Sequence, residues 1–145
     1  MMGFDDLNLG TPLNNAITEL GLVEPTEIQI AAFPVIMSGK DVIGIAQTGT
    51  GKTFAYLMPI LRTLPFSTQK HPRVLIVVPT RELASQVGDS FRSYGKNLRF
   101  RTSTLYGGVS IKTQIDKLKK GVDIVVATPG RLLDHLDKKT LDLSE

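Results

Sequence analysis

Cysteine is absent from the 145 residues, so no disulfide and no thiolate metal site can hold the chain, and a reducing cytosol suits it. Histidine is scarce. His71 and His135 stand far apart without ligand spacing, and both are expected to be ordinary surface residues. No apolar run approaches the length of a membrane span, and Asp5 and Asp6 stand where a signal segment would carry positive charge. Low-complexity segments and interdomain linkers are missing as well; 66–72 is the one loose connection. These absences argue against a disulfide-stapled secreted scaffold and against a membrane protein, and leave a cytoplasmic globular chain as the expectation. With 41% hydrophobic and 21% charged residues, the length suits one domain with a sizeable core.

Positive charge is missing from one region only. None of the 17 Lys and Arg precedes Lys40, whereas five of the 14 acids do: Asp5, Asp6, Glu19, Glu24 and Glu27. An acidic leader (1–39) therefore precedes a basic body (40–145), whose charge favours a polyanionic partner.

The stretch that organises the chain is Ala46-Gln47-Thr48-Gly49-Thr50-Gly51-Lys52-Thr53. An apolar run, Asp41 to Ile45, leads into it, and a helical pattern from Phe54 to Leu64 leads out. This is the strand–loop–helix setting of a phosphate-binding loop. Gly49 and Gly51 tolerate backbone angles that a Cβ would block, so successive N–H groups can face an anion. Lys52 adds a flexible positive charge for terminal phosphates, and the Thr53 hydroxyl is placed to ligate Mg²⁺. Both stand at a helix N-terminus, whose dipole favours phosphate. Ala46 replaces the first glycine of the strict pattern. The competing reading is a Gly/Thr-rich turn that binds nothing, and residue types, spacing and flanks all argue against it.

From the N-terminus, Thr11-Pro12 reads as an N-cap followed by proline in the first turn, with Leu13, Ala16, Ile17 and Leu20 forming an apolar stripe that Gly21 ends. Thr26 and Gln29 have capping-box spacing and open a helix to about Met37, with Pro34 expected to kink it. On local physics alone, Phe4 and Gln29 are structural. Arg73 to Val78 reads as a strand buried on both faces, Arg99 to Tyr106 as another, and Asp123 to Ala127 as a third. Helical patterns with Leu83, Val87 and Phe91, with Ile111, Ile115 and Leu118, and with Leu132, Leu133 and Leu136 follow them. Strands alternating with helices specify an α/β fold with a parallel sheet flanked by helices.

Two junctions share a design. At Thr80-Arg81 and at Thr128-Pro129-Gly130-Arg131 a strand ends in threonine beside proline, and an arginine enters the first helical turn. An arginine there opposes the helix dipole unless an anion occupies the same place. Ligands of open α/β sheets bind where strands end and helices begin, so both junctions could hold backbone phosphates. Gly107-Gly108 would let a chain approach without obstruction. The plainer reading, threonine as N-cap beside a solvent-facing arginine, holds for either junction alone and weakens when both accompany a phosphate loop.

Together these residues resemble a DEAD-box RNA helicase over almost the whole chain. Phe4 and the stretch from Gly21 to Gln29 are similar to the adenine-recognising Q motif with its upstream aromatic, and Leu22 departs from the usual aromatic there. Ala46 to Thr53 is similar to motif I, Pro79 to Ala84 to motif Ia, Gly107-Gly108 to the GG motif, and Thr128 to Arg131 to motif Ib.

The resemblance implies a RecA-like P-loop NTPase domain, with 1–39 as Q-motif leader helices and 40–145 as a partial ATP-binding domain, one structural domain overall. It implies that Phe4, Gln29, Gln47, Thr48, Gly49, Thr50, Gly51, Lys52 and Thr53 contact ATP, with Lys52 and Thr53 catalytic and Thr53 on Mg²⁺. It implies that Thr80, Arg81, Gly108, Thr128, Gly130 and Arg131 contact the RNA backbone without reading sequence. The Asp-Glu-Ala-Asp motif does not occur in the 145 residues. The expectation is therefore a helicase truncated before that strand and lacking a second RecA-like domain, inactive by itself, with a sheet gap that a strand-exchanged oligomer could fill. A non-catalytic nucleotide- or RNA-binding module and an unrelated P-loop NTPase are the alternatives.

Overall fold

The structure, a computed structural model, describes residues 2–49 and 51–144. Two compact units divide the chain: Met1–Pro65 with Tyr94–Leu98, and Phe66–Ser93 with Arg99–Glu145.

The first unit is helical among its described residues. A 3₁₀ turn, Phe4–Leu7, precedes α1 (Thr11–Glu19), α2 (Glu27–Met37) and α3 (Lys52–Thr63). Gly10, not Thr11, is the N-cap of α1, so the helix starts one residue earlier than the Thr-Pro signal implies. The expected stripe of α1 is buried at Leu13, Ala16 and Ile17. Pro34 lies inside α2 without ending it. Helices α2 and α3 pack together, α3 burying Leu57, Met58 and Leu61. Each such side chain contributes about 1.5–3 kcal/mol by leaving water. Phe4, Phe54 and Tyr94 add an aromatic group, Phe4 edge-on to Phe54 at 5.9 Å and Tyr94 stacked on Phe54 at 4.3 Å.

The run 41–45 is not a strand, contrary to the sequence reading. Its side chains stand in the open, with Ile43 and Ile45 each 91% exposed. No strand among the described residues pairs with it, and an extended segment gains its ladder only from a neighbour.

The second unit is built on β1 (Val74–Val77), β2 (Thr102–Leu105) and β3 (Ile124–Ala127), connected through α4 (Arg81–Tyr94) and α5 (Ile111–Lys119) and followed by α6 (Pro129–Asp137). The sheet is parallel in the order β1-β3-β2, with Val74 and Thr102 both opposite Ile124. The α/β class read from the alternation is therefore observed. Central β3 is buried at all four positions, as its unbroken apolar sequence requires. Strand β1 is not buried on both faces as expected: Leu75 is 38% and Val77 52% exposed, and these alternate residues share one face, which no described element covers as fully as the faces of β3. Leu105, Leu118, Val122, Val125, Ala127 and Leu141 form the core, with Leu132 and Leu136 of α6 packed against it.

One buried acid fastens the start of this sheet. Asp123 accepts from Arg73 at 3.0 Å, from Arg101 through backbone and guanidinium, and from Gln69 at 3.2 Å. Burial pushes its carboxyl up, but those bonds outweigh burial and hold it at about 2.

Candidate nucleotide and nucleic-acid sites

The phosphate loop enters α3 through Gly51, which is the helix N-cap and has a φ of 83°. Gly49 shares that left-handed conformation, and nothing stands within 4 Å of where its Cβ would be. Lys52 and Thr53 begin the helix, Lys52 exposed and Thr53 half-buried, while Gln47 and Thr48 are exposed. Thr50, expected to contact nucleotide, lies outside the described residues.

Gln29 reaches the loop from α2. Its Oε1 accepts from the Thr26 N–H at 3.0 Å, the capping-box bond expected from spacing. Its Nε2 donates to the Gly51 carbonyl at 3.1 Å, a bond between residues 22 apart in sequence. A Cβ on Gly51 would collide with that amide, so glycine is required by contact as well as by φ. An open cleft of about 600 Å³ runs beside this junction, lined by Thr26, Glu27, Ile28, Ala31, Ala46 and Gln47 among others. Thr26 Oγ1 is buried without a hydrogen-bond partner among the described residues. Phe4 is not presented as a free stacking face; it is 7% exposed and its ring meets Phe54.

The loop fits a phosphate chain. Left-handed glycines turn the backbone there, a 12-residue helix begins at Lys52, and Gly49 leaves space on its open side. For a metal the fit is narrower. Among the described residues no three His, Cys, Asp or Glu side chains gather as a metal site, so Mg²⁺ would depend on phosphate oxygens and the Thr53 hydroxyl. That hydroxyl also meets Tyr56, whose phenol burial pushes up and Thr53 draws back in part.

In the second unit, the carboxyl ends of the three parallel strands deliver the other predicted residues to one edge. After β1, Thr80 Oγ1 accepts from the Leu83 N–H at 3.2 Å and caps α4. Exposed Arg81 lies over the Tyr106 ring at 5.4 Å. Gly108, after β2, sits so close beneath Arg81 that a Cβ there would stand 2.9 Å from its guanidinium. After β3, the Thr128 N–H donates to the Leu105 carbonyl at 2.9 Å, and Pro129 and Gly130 open α6 with Gly130 unobstructed.

Arg131 is less free than its place in the sequence implies. Both terminal nitrogens donate to the Val109 carbonyl at 3.1 Å, one also donates to Gln114 Oε1 at 3.2 Å, and Asp134 lies 3.5 Å from Nε. Its side chain is 12% exposed. The arginine thus holds the loop after β2 against α6.

Two residues of this edge escaped the sequence reading. His135, expected at the surface, is fully buried; its Nε2 lies 2.9 Å from Gln114 Oε1 and its Nδ1 2.8 Å from Thr140 Oγ1. Burial lowers its pKa, as do the charges of Arg131 and Lys138, while Asp134 opposes them. Gln114 is buried and donates from Nε2 to the Tyr106 carbonyl at 2.9 Å. The signal was present: Gln114 follows Ile111 and precedes Leu118 at helical spacing, and His135 follows Leu132 in the same way.

A model of the DEAD/DEAH box helicase family matches residues 26–145. The chain belongs to that family. The DEAD/DEAH match includes both the phosphate loop and the three-strand edge. The chain is 46% identical over 142 residues to the ATP-dependent RNA helicase DeaD of Mycobacterium tuberculosis, covering 97% of this chain and 25% of that protein. It is 45% identical over 143 residues to the protein of the same name in Escherichia coli K12, covering 98% and 23%. The crystal structure of a hypothetical ATP-dependent RNA helicase from Sulfolobus tokodaii is similar with a TM-score of 0.82 and 41% identity, covering 92% of this chain and 38% of that one. This DEAD/DEAH chain therefore spans about a quarter of the length of the curated relatives it matches.

Proposed function

We propose that this chain is the ATP-contacting and RNA-backbone-contacting part of the first RecA-like domain of an ATP-dependent RNA helicase. The observation that carries the proposal is the gathering of Thr80-Arg81, Gly108 and Thr128–Arg131 at the carboxyl ends of three adjacent parallel strands. Such an edge supplies hydroxyls, helix N–H groups and positive charge to a phosphate backbone, and glycine lets that backbone approach. Little in it reads bases, so binding is independent of sequence. Arg81 offers an exposed guanidinium, while Arg131 contributes its charge and the placement of the loop it holds.

In the phosphate loop, Gly49, Thr50 and Gly51 turn the backbone toward the nucleotide's phosphates, with Gln47 and Thr48 leading in. Lys52 meets the terminal phosphates and Thr53 the Mg²⁺ that accompanies them. Gln29 faces the adenine edge with the donor and acceptor capacity left over from Thr26 and Gly51. Phe4 stacks on the base only if its ring leaves Phe54. Separation of RNA strands on ATP hydrolysis, with a second RecA-like domain and in the cytoplasm, is proposed for a longer protein of the family. The 145 residues by themselves bind without turnover.

Competition titration tests the nucleotide half. ADP binds more tightly than GDP, and Gln29→Ala narrows the gap. Equal affinities in the unsubstituted chain would return the site to a P-loop NTPase of another kind. Salt titration tests the RNA half: affinity for single-stranded RNA falls steeply with salt, and Arg81→Ala lowers the slope by about one. An unchanged slope makes Arg81 a surface residue only.

A further inference from the structure

We propose that Gln114 is the positioning residue of the RNA edge, joining the loop after β2 to the first turn of α6 so that both present their backbone contacts as one rigid surface. The inference rests on the reading of that edge as an RNA site and adds a residue that touches no RNA.

The chemistry of the buried amide requires this arrangement. Tyr106 offers a carbonyl, which can only accept, at 2.9 Å from Nε2; Arg131 offers N–H groups, which can only donate, at 3.2 Å from Oε1. The amide therefore has one possible orientation. His135 Nε2, 2.9 Å from the same Oε1, must carry a proton, and Nδ1 lies 2.8 Å from the Thr140 hydroxyl, which also reaches the His135 carbonyl at 3.2 Å. Gln114 thus ties β2's exit on one side to two α6 residues on the other, and Arg131 closes the loop through the Val109 carbonyl.

The consequence is geometric. Gly107 and Gly108 lie between two tethered points, the Tyr106 carbonyl held by Gln114 and the Val109 carbonyl held by Arg131. A Gly-Gly segment has large conformational freedom, and only such anchors give it one shape to present to a phosphate backbone. Glutamine meets the need because it combines a donor and an acceptor at one end of a long side chain. Glutamate would keep Arg131 and His135 but set a carboxylate oxygen against the Tyr106 carbonyl. Methionine would fill the space and make none of the three bonds.

The test measures RNA affinity and amide hydrogen exchange on the full chain, using a fluorescent oligouridylate. Gln114→Met is expected to weaken RNA binding about tenfold, the equivalent of one buried hydrogen-bond connection. ADP affinity stays unchanged. Gln114→Glu is expected to weaken RNA binding while the Thr128 and Leu132 amides, bonded to the Leu105 and Thr128 carbonyls, stay protected from exchange, a separation that general loosening of the fold would not produce. Wild-type RNA affinity in Gln114→Met, with RNA bound by the unsubstituted chain, overturns this proposal and leaves the RNA edge standing. No RNA binding by the unsubstituted chain overturns both. Should Gln114→Met melt too readily to assay, the unsubstituted chain decides. Oligouridylate then protects the amides of Gly108–Val109 and of Arg131-Leu132 by the same factor, and protection of one segment alone overturns the proposal.

Discussion

Asp41-Val42-Ile43-Gly44-Ile45 and Asp123-Ile124-Val125-Val126-Ala127 have nearly the same composition, and each leads into a loop and a helix. One is exposed and unpaired; the other is the buried centre of a sheet. The difference lies in what surrounds each run. β3 has a parallel partner on either side and helices packed over it, whereas 41–45 has no partner strand among the described residues. Even the two leading aspartates diverge: Asp41 is exposed, and Asp123 is fully buried among donors. A run of β-branched residues is thus a capacity for a strand, and neighbours turn it into one.

The largest effect should come from putting a charge in each run. Val125→Asp places an unpaired carboxylate in the core of the second unit and should cost about 3–5 kcal/mol by denaturant titration. Ile43→Asp changes an exposed position and should stay within about 0.5 kcal/mol. Comparable losses from both would mean that 41–45 is covered in solution, by a second copy exchanging strands or by rearranged pairing, and sedimentation would distinguish those two.

The aspartates provide the next comparison. The Asp123 carboxyl titrates at about 2 when folded against an ordinary 3.8, so its stabilisation is complete above that ordinary value and is lost as pH falls through 2. This corresponds to about 2–3 kcal/mol. Asp123→Asn should flatten that acid limb, and Asp41→Asn should leave it alone. An acid limb of unchanged steepness in Asp123→Asn would remove the carboxylate from its proposed role.

The loops that follow the two runs give a smaller effect. Gly51→Ala forces a side chain into a φ of 83° and against the Gln29 amide, at a cost of about 1–2 kcal/mol. ADP affinity should fall with it. Gly130→Ala meets open space in the first turn of α6, and should raise stability by up to about 1 kcal/mol. Equal melting of the two variants would mean that the Gln29 contact does not constrain the loop.

The smallest effect is the titration of His135. Its pKa is lowered in the fold, by burial first, so its contribution is complete above pH 6.5 and declines as pH falls below that value and the unfolded chain takes the proton. His135→Gln should remove this decline. A decline of the same size in the variant would assign it to other groups.

Much was legible in the sequence for a local reason. Thr26 and Gln29 stand three residues apart, and that spacing alone specifies the capping bond observed between them. The alternation of apolar runs with helical stripes specified a parallel sheet, and Gly51 before Lys52 specified the left-handed turn that opens α3. Each of these depends on residues within a few positions of one another. What the sequence could not supply is how segments far apart meet. Gln29 bonds the Gly51 carbonyl across 22 positions, and Gln114 reaches His135 across 21. Likewise, only the arrangement of neighbours left 41–45 exposed while burying 124–127, and only packing turned His135 inward. The local rules act on the bonds a residue can make with its own stretch of chain. Burial and long-range pairing depend on the rest of the chain being in place, so the tertiary structure alone decided which donor met which acceptor.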